Sequence, residues 1–271
     1  MRQAGRWDPE FLKLRGGLDF YEFSESPQLA AEAALLPKRF GVDGIILFYD
    51  ITTLAVAMGM EFTLEPNHGP VPARPIRSRS DAERLTSRPD TQRFGHVIEL
   101  LQIVKRELGG SLPVLVFASA PFTLASYCIG TGKDVARTMK FIGEQPDTWQ
   151  LLSDRITEAT IEFLNTLCGE GADIYQLFDS WAGDLPRTEY ENWSHRFQCD
   201  IFAASRAAPS IVFVRECPYL DLMAASGASV ISLGTRHELA AVRARWPHLS
   251  FQGNVDHNLL SRGGVAEVRA A

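Results

Sequence analysis

Short apolar runs alternate with longer amphipathic stretches along this chain. Six runs are near-continuously apolar at their centres: Gly44–Phe48, Pro113–Phe117, Asp173–Phe178, Ser210–Val214, Ser229–Leu233 and Leu249–Gln252. Strands buried on both faces have that pattern, with no polar alternation. Between them lie segments with helical spacing: Pro27 to Phe40, Asp90 to Leu108, Pro146 to Cys168, Thr188 to Arg206, Pro218 to Ser226 and His237 to Arg245. In the third, Trp149, Leu152, Ile156, Ala159, Phe163 and Leu167 fall on one stripe. Ser26 stands where a cap would start the first, and Gly41 follows its end. Such alternation predicts parallel strands joined by right-handed crossovers. Two architectures satisfy it, a (β/α)8 barrel and an open doubly wound sheet.

One stretch breaks the rhythm. Residues 61–93 hold Pro66, Pro70, Pro72, Pro75 and Pro89. From Pro66 to Arg93 six arginines face three acids, a local charge of +3. This reads as a loop insertion after a strand within a single domain spanning 1–271. A solvated basic surface is the first expectation for it, and a place near an anionic ligand or partner the second.

The whole chain of 271 residues has 27 basic and 33 acidic side chains, a net charge of -6. That balance argues against broad binding of nucleic acid or anionic membrane. No run approaches the roughly 20 apolar residues of a membrane span. The opening Met1-Arg2-Gln3-Ala4-Gly5-Arg6 lacks the apolar segment of a secretory signal. Cys128, Cys168, Cys199 and Cys217 include no C-x-x-C pair. Reduced thiols in the cytoplasm are therefore the expectation.

The strand ends carry the candidate chemistry. In a barrel, the C-terminal ends of the strands hold the active site. The first run ends in Tyr49-Asp50-Ile51, and a carboxylate placed there must be solvated, paired or functional. The second runs into Ala118-Ser119-Ala120-Pro121, with Pro121 suited to the first turn of a helix and Tyr127 about two turns along it. The third ends in Asp179-Ser180-Trp181-Ala182-Gly183, where Ser180 would touch a ligand or cap the next helix. Gly253-Asn254-Val255-Asp256 suits a turn. At the N-terminus, Arg2 and Arg6 flank small residues, and guanidinium groups grip carboxylates bidentately. Gly130-Thr131-Gly132-Lys133 is no phosphate loop, because Tyr127 stands where the first glycine would be needed. His195 and Cys199 lie one helical turn apart without an apparent third metal ligand.

In order along the chain, these segments resemble the uroporphyrinogen decarboxylase family. The resemblance rests on Met1-Arg2-Gln3-Ala4-Gly5-Arg6 with Pro9-Glu10, Ile46-Leu47-Phe48-Tyr49-Asp50-Ile51, Ala57-Met58-Gly59-Met60, Ala120 to Tyr127, Gln176 to Gly183 and Gln252 to Asp256. It implies a (β/α)8 barrel, a homodimer, and removal of the four acetate carboxylates of uroporphyrinogen III to give coproporphyrinogen III. This is a step of porphyrin (haem and chlorophyll) biosynthesis that uses no metal and no organic cofactor. It also implies that Arg2, Asp50 and Tyr127 act in catalysis. Arg2, Gln3, Ala4, Gly5, Arg6, Asp50, Tyr127 and Ser180 would contact the substrate. Compared with the family pattern, Trp7-Asp8 stands for Tyr and an apolar residue, Ser119 for Gly, Leu233-Gly234-Thr235 for Gly-Leu-Asp-Trp, and His257 for Pro. The pattern further implies a barrel lacking its last βα segment and the segment before its first strand, with Arg2 to Arg6 as a short seventh strand. Such a barrel would expose two sheet edges. A shortened, weakly active or inactive porphyrinogen binder is the alternative. The related corrinoid methyltransferases need a zinc–thiolate cluster, and the four cysteines lack its spacing.

Overall fold

The computed structural model describes residues 8–65, 69–205 and 207–270. The short strand expected at Arg2 to Arg6 lies outside them. The strands are β1 (Ile45–Ile46), β2 (Phe62–Glu65), β3 (Gly69–Pro72), β4 (Val114–Ser119), β5 (Ile174–Asp179), β6 (Ser210–Val214), β7 (Val230–Ser232) and β8 (Ser250–Gln252). The helices are α1 (Pro9–Arg15), α2 (Phe20–Ser24), α3 (Pro27–Leu35), α4 (Thr53–Ala57), α5 (Arg79–Glu83), α6 (Gly95–Leu108), α7 (Pro121–Cys128), α8 (Val135–Glu144), α9 (Pro146–Gly169), α10 (Arg187–Tyr190), α11 (Arg196–Ala204), α12 (Leu220–Ala225), α13 (Leu239–Arg245), α14 (His257–Arg262) and α15 (Val265–Ala270).

Six strands form one sheet in the order β1-β4-β5-β6-β7-β8, with every neighbouring pair parallel. This order separates the two architectures. A doubly wound sheet reverses its strand order at a switch point, whereas here each strand is added on the same side. Right-handed crossovers then carry the helices to one face, which is the construction of a barrel wall. The sheet is a curled, open part of a (β/α) barrel, with β1 and β8 at its edges among the described residues. All six sheet strands coincide with the predicted runs, with β4 running two residues and β5 one residue beyond the predicted end. β4 and β6 are buried almost throughout, as continuous apolar runs require.

The predicted stripe of α9 packs as expected. Trp149, Leu152, Ile156, Ala159, Phe163 and Leu167 are all buried. Burying one large apolar side chain contributes roughly 1.5–3 kcal/mol, against about 0–1 kcal/mol for an exposed ion pair. The ion pairs described here each keep at least one exposed or half-exposed side chain, so apolar packing dominates stability. At the N-terminal side, α1 and α2 lay Phe11 and Phe23 against Phe48, with ring centroids 5.2 to 5.5 Å apart.

Three expectations need correction. The insertion at 61–93 is not a plain loop. It folds into the antiparallel hairpin β2–β3 and the helix α5, and Ser78 and Asp81 form a capping box at the start of α5. Its arginines are largely engaged: Arg79 with Glu83, Arg84 with Asp81, Arg93 with Asp90, and Arg77 with the carbonyl of Ile129. The helix expected from Asp90 begins at Gly95, because the Asp90 carboxylate accepts the Gln92 N–H and shapes a turn. Ser26 occupies the cap position of α3 without a side-chain cap bond, although Gly41 does end the following turn at φ 69°. The short helices α1, α2, α4 and α8 carry too few periodic positions to be read from spacing alone.

Consecutive strand ends are nested through glycine. A Cβ on Gly183 would sit 2.0 Å from the backbone oxygen of Arg215. The loop after β5 therefore lies directly on the backbone after β6, a contact closer than any side chain allows. Gly183→Ala is expected to destabilise the protein by at least about 1–3 kcal/mol in urea denaturation. Gly143→Ala, in the open last turn of α8, should be neutral or stabilising by up to about 1 kcal/mol. Equal midpoints for the two variants would show that the Gly183 contact is not needed.

Candidate active site

Of the predicted site residues that the structure describes, Asp50 and Ser180 follow the C-terminal ends of β1 and β5, and Tyr127 lies on the helix after β4. Asp50 follows β1 and is 9% exposed. Its position is set by the residue before it. The strand pairing of β1 is only two residues long, yet the Tyr49 hydroxyl accepts the Phe117 N–H at 2.6 Å and donates to the Phe117 carbonyl. The Tyr49 ring stacks on Phe117 at 4.1 Å between centroids. A side chain thus does the work of two ladder bonds and holds the Asp50 backbone against β4. The carboxylate of Asp50 accepts the Thr52 N–H at 2.8 Å and the Thr52 hydroxyl.

Beside Asp50 lies a cavity of about 240 Å³. Its polar wall includes Tyr21, Thr52, Glu25, Arg93 and His96. Burial holds His96 below its ordinary value, favouring the neutral ring. Burial, then the charge of Asp19, raises Glu25. Arg93 brings one guanidinium of the 61–93 insertion to this wall.

Tyr127 lies on α7, which starts at Pro121 as the sequence predicts. Its phenol is pushed up by burial and by the negative charge of Asp50, which places the two groups in one electrostatic environment. The Trp181 ring is 6.4 Å from that of Tyr127, and the Arg215 guanidinium lies 5.2 Å over Trp181. Arg215 also donates from Nε to the Ser180 carbonyl at 3.0 Å and pairs with Asp184 at 2.7 Å. The structure therefore links Ser180 to Tyr127 through Trp181 and Arg215, while Asp50 acts on Tyr127 through its charge. Arg2, Gln3, Ala4, Gly5 and Arg6 lie outside the described residues.

Two strand-end groups were not picked out from the sequence. Arg215 follows β6, and Asp179 is the last residue of β5; each is a charge directly after an apolar run, the same signal that marked Asp50. Asp179 is fully buried, and burial raises its carboxyl. It accepts from the Thr123 hydroxyl at 2.6 Å, the Ser194 hydroxyl at 2.6 Å and the Gln198 Nε2 at 3.0 Å. The hydrogens can be counted. The Trp181 N–H points to Thr123 Oγ1, and Gln198 Nε2 donates to Ser194 Oγ, so both hydroxyl hydrogens are left for Asp179. Tyr190 donates to Gln198 Oε1 and fixes the amide orientation. Asp179 is thus surrounded by donors and binds α7 and α11 to the end of β5. The other predicted lead, His195 and Cys199, is a packing pair: His195 Nε2 meets the Leu222 carbonyl at 2.7 Å, with Cys199 Sγ at 3.5 Å. Asn254 ties the end of β8 to the loop after β7 through the Gly234 carbonyl at 3.2 Å. Among the described residues, no three His, Cys, Asp or Glu side chains converge as metal ligands. All four cysteines are free, and no helix among the described residues is long and apolar enough to cross a membrane.

Asp179→Asn would turn an amide NH2 toward those donors. Urea denaturation should show a loss of about 1–3 kcal/mol, and Thr123→Val, which removes a single donor, a smaller loss. A fully stable Asp179→Asn protein would contradict the hydrogen count.

The sequence matches the family described as uroporphyrinogen decarboxylase (URO-D) over residues 1–271. It is 34% identical to the uroporphyrinogen decarboxylase of Carboxydothermus hydrogenoformans, covering 96% of this chain and 75% of the relative. It is 36% identical to that of Roseiflexus sp., covering 96% and 79%, and 38% identical to that of Rhodococcus jostii, covering 98% and 76%. In structure it is similar to a methyltransferase from Methanosarcina mazei, with a TM-score of 0.76, 24% identity and coverage of 91% of this chain and 74% of that one. That likeness is one of fold, whereas the match over the whole sequence is one of family: the chain belongs to the uroporphyrinogen decarboxylase family.

Proposed function

We propose that the chain is a uroporphyrinogen decarboxylase, a carboxy-lyase that converts uroporphyrinogen III to coproporphyrinogen III without a cofactor. One observation carries the reading beyond family membership. A nearly buried strand-end carboxylate, Asp50, faces a cavity and shares its field with a protonated phenol, Tyr127.

The chemistry follows from charge. Each turnover of one acetate arm consumes a proton and releases carbon dioxide, turning –CH2–COO⁻ into –CH3. Protonation of a pyrrole carbon makes the ring cationic, and the electron pair of the breaking C–C bond flows into it. Asp50 accepts the inward pyrrole N–H groups and stabilises that cation across a short distance in a low-dielectric site. Tyr127 is a neutral donor beside it, and Ser180 is a further substrate contact. Arg2 and Arg6 anchor the substrate's carboxylates, with Gln3, Ala4 and Gly5 allowing close approach of the backbone. Arginine is a poor acid at its ordinary pKa, so anchoring is the role assigned to Arg2, with proton relay secondary. A cytoplasmic homodimer is part of the same proposal, supported by the family resemblance.

The test is an anaerobic assay of the purified chain with uroporphyrinogen III, with products separated by carboxylate number. Four-carboxylate product is expected. Intact eight-carboxylate substrate from folded protein would instead favour a porphyrinogen binder without turnover. Asp50→Asn should remove most turnover, by about a hundredfold or more, while the protein stays folded. Near-normal rates in that variant would take Asp50 out of the mechanism.

A further inference from the structure

Among the polar groups that line the cavity beside Asp50 and that this mechanism leaves unused, one is a buried hydroxyl without a partner. Tyr21 stands on α2 and lines the cavity together with Asp50. Its hydroxyl is shielded from solvent and has no hydrogen-bond partner. Thr52 is beside it and donates its hydroxyl to Asp50; the Thr52 oxygen could accept from Tyr21, but the two do not meet in hydrogen-bond geometry. A buried hydroxyl left without a partner is destabilising, because it gives up its bonds to water and gains none in return. The ring does not explain the hydroxyl, since its edge contact with Phe20, at 5.8 Å, is one that phenylalanine would make equally well. Burial, and then the charge of Asp50, push the phenol above its ordinary range, so it carries its proton.

The chemistry of the group selects its partner. A protonated phenol that meets neither Thr52 nor Asp50 in hydrogen-bond geometry is available to a new acceptor. The pyrrole N–H groups of the substrate are donors, and Asp50 serves them. The acceptors of the substrate are its carboxylate arms. An arm brought to this wall would be repelled by Asp50 unless a donor met it there. We propose that Tyr21 is a substrate contact, its hydroxyl donating a hydrogen bond to a carboxylate arm of the porphyrinogen bound over Asp50. The assignment rests on the porphyrinogen reading above, and it adds a specificity-determining residue outside the segments that carry the family resemblance.

Tyr21→Phe removes only the oxygen. The melting temperature should be unchanged or higher, because an unpartnered buried group is lost. The KM for uroporphyrinogen III should rise about tenfold, with kcat changed less than twofold, the pattern of a contact made equally in ground and transition states. An unchanged KM, or a fall in kcat alone, overturns the proposal. So does a lower melting temperature, which would mean that the hydroxyl serves the fold. The two readings are separable. If the wild-type chain turns over and Tyr21→Phe matches it, this proposal fails and the decarboxylase reading stands. If the wild-type chain releases no carbon dioxide, anaerobic calorimetric titration with uroporphyrinogen III decides. Weaker binding by Tyr21→Phe upholds the contact, whereas equal binding, or none by either protein, overturns it.

Discussion

The Tyr49 hydroxyl is the constraint on which the geometry of the site depends. β1 is the shortest strand of the sheet and pairs with β4 over only two residues. Left to its ladder, its C-terminal end would be free to splay from the sheet, and Asp50 with it. The phenol bonds both the N–H and the carbonyl of Phe117, and the stacked rings bury that closure in the core. A dry hydrogen bond of this kind is strong because the alternative is an unpaired buried group. It transmits the rigidity of β4, a six-residue strand, to the single residue that the proposed chemistry uses most.

A second buried polar centre does for α7 what Tyr49 does for Asp50. Asp179 gathers Thr123, Ser194 and Gln198, and so links the helix bearing Tyr127 to β5 and α11. No cation appears among these partners. Replacing such a network by apolar packing would cost the fold little, but it would leave α7 with a less specific seat. The same strand end leads into Ser180 and Trp181, and Arg215 closes over both from the end of β6. The strand ends thus form one connected polar layer resting on an apolar sheet. This layering puts charge where a barrel keeps its chemistry and keeps it out of the interior.

The Asp50 cavity departs from that economy. Thr52 donates twice to Asp50, yet Tyr21 keeps an idle donor in the same wall. Natural structures keep few such groups, and each calls for an explanation. The structural similarity to a methyltransferase underlines that a barrel of this shape serves more than one chemistry. The side chains in the cavity, rather than the barrel, carry the functional argument.

Much of this was legible in the chain itself. Apolar runs marked all six sheet strands, most clearly β4 and β6, because a strand buried on both faces has no polar positions to confuse its period. The α9 stripe and the strand-end position of Asp50 followed from the same patterning. Proline and arginine content set 61–93 apart, but composition could not show that the stretch folds back as a hairpin and sends Arg93 to the Asp50 cavity. Likewise, barrel and doubly wound sheet share one alternation of elements, and only the order of pairing, a contact between residues distant in sequence, separates them. The Tyr49 clamp, the donor ring around Asp179 and the idle Tyr21 hydroxyl were invisible for a related reason. Each depends on where a hydrogen atom points after packing, and neither residue type nor spacing encodes that direction. The sequence by itself determined which residues are apolar, which strands form and which charges end them; the tertiary structure decided which of those charges meet, because hydrogen bonds act over about 3 Å and only folding sets distances that small.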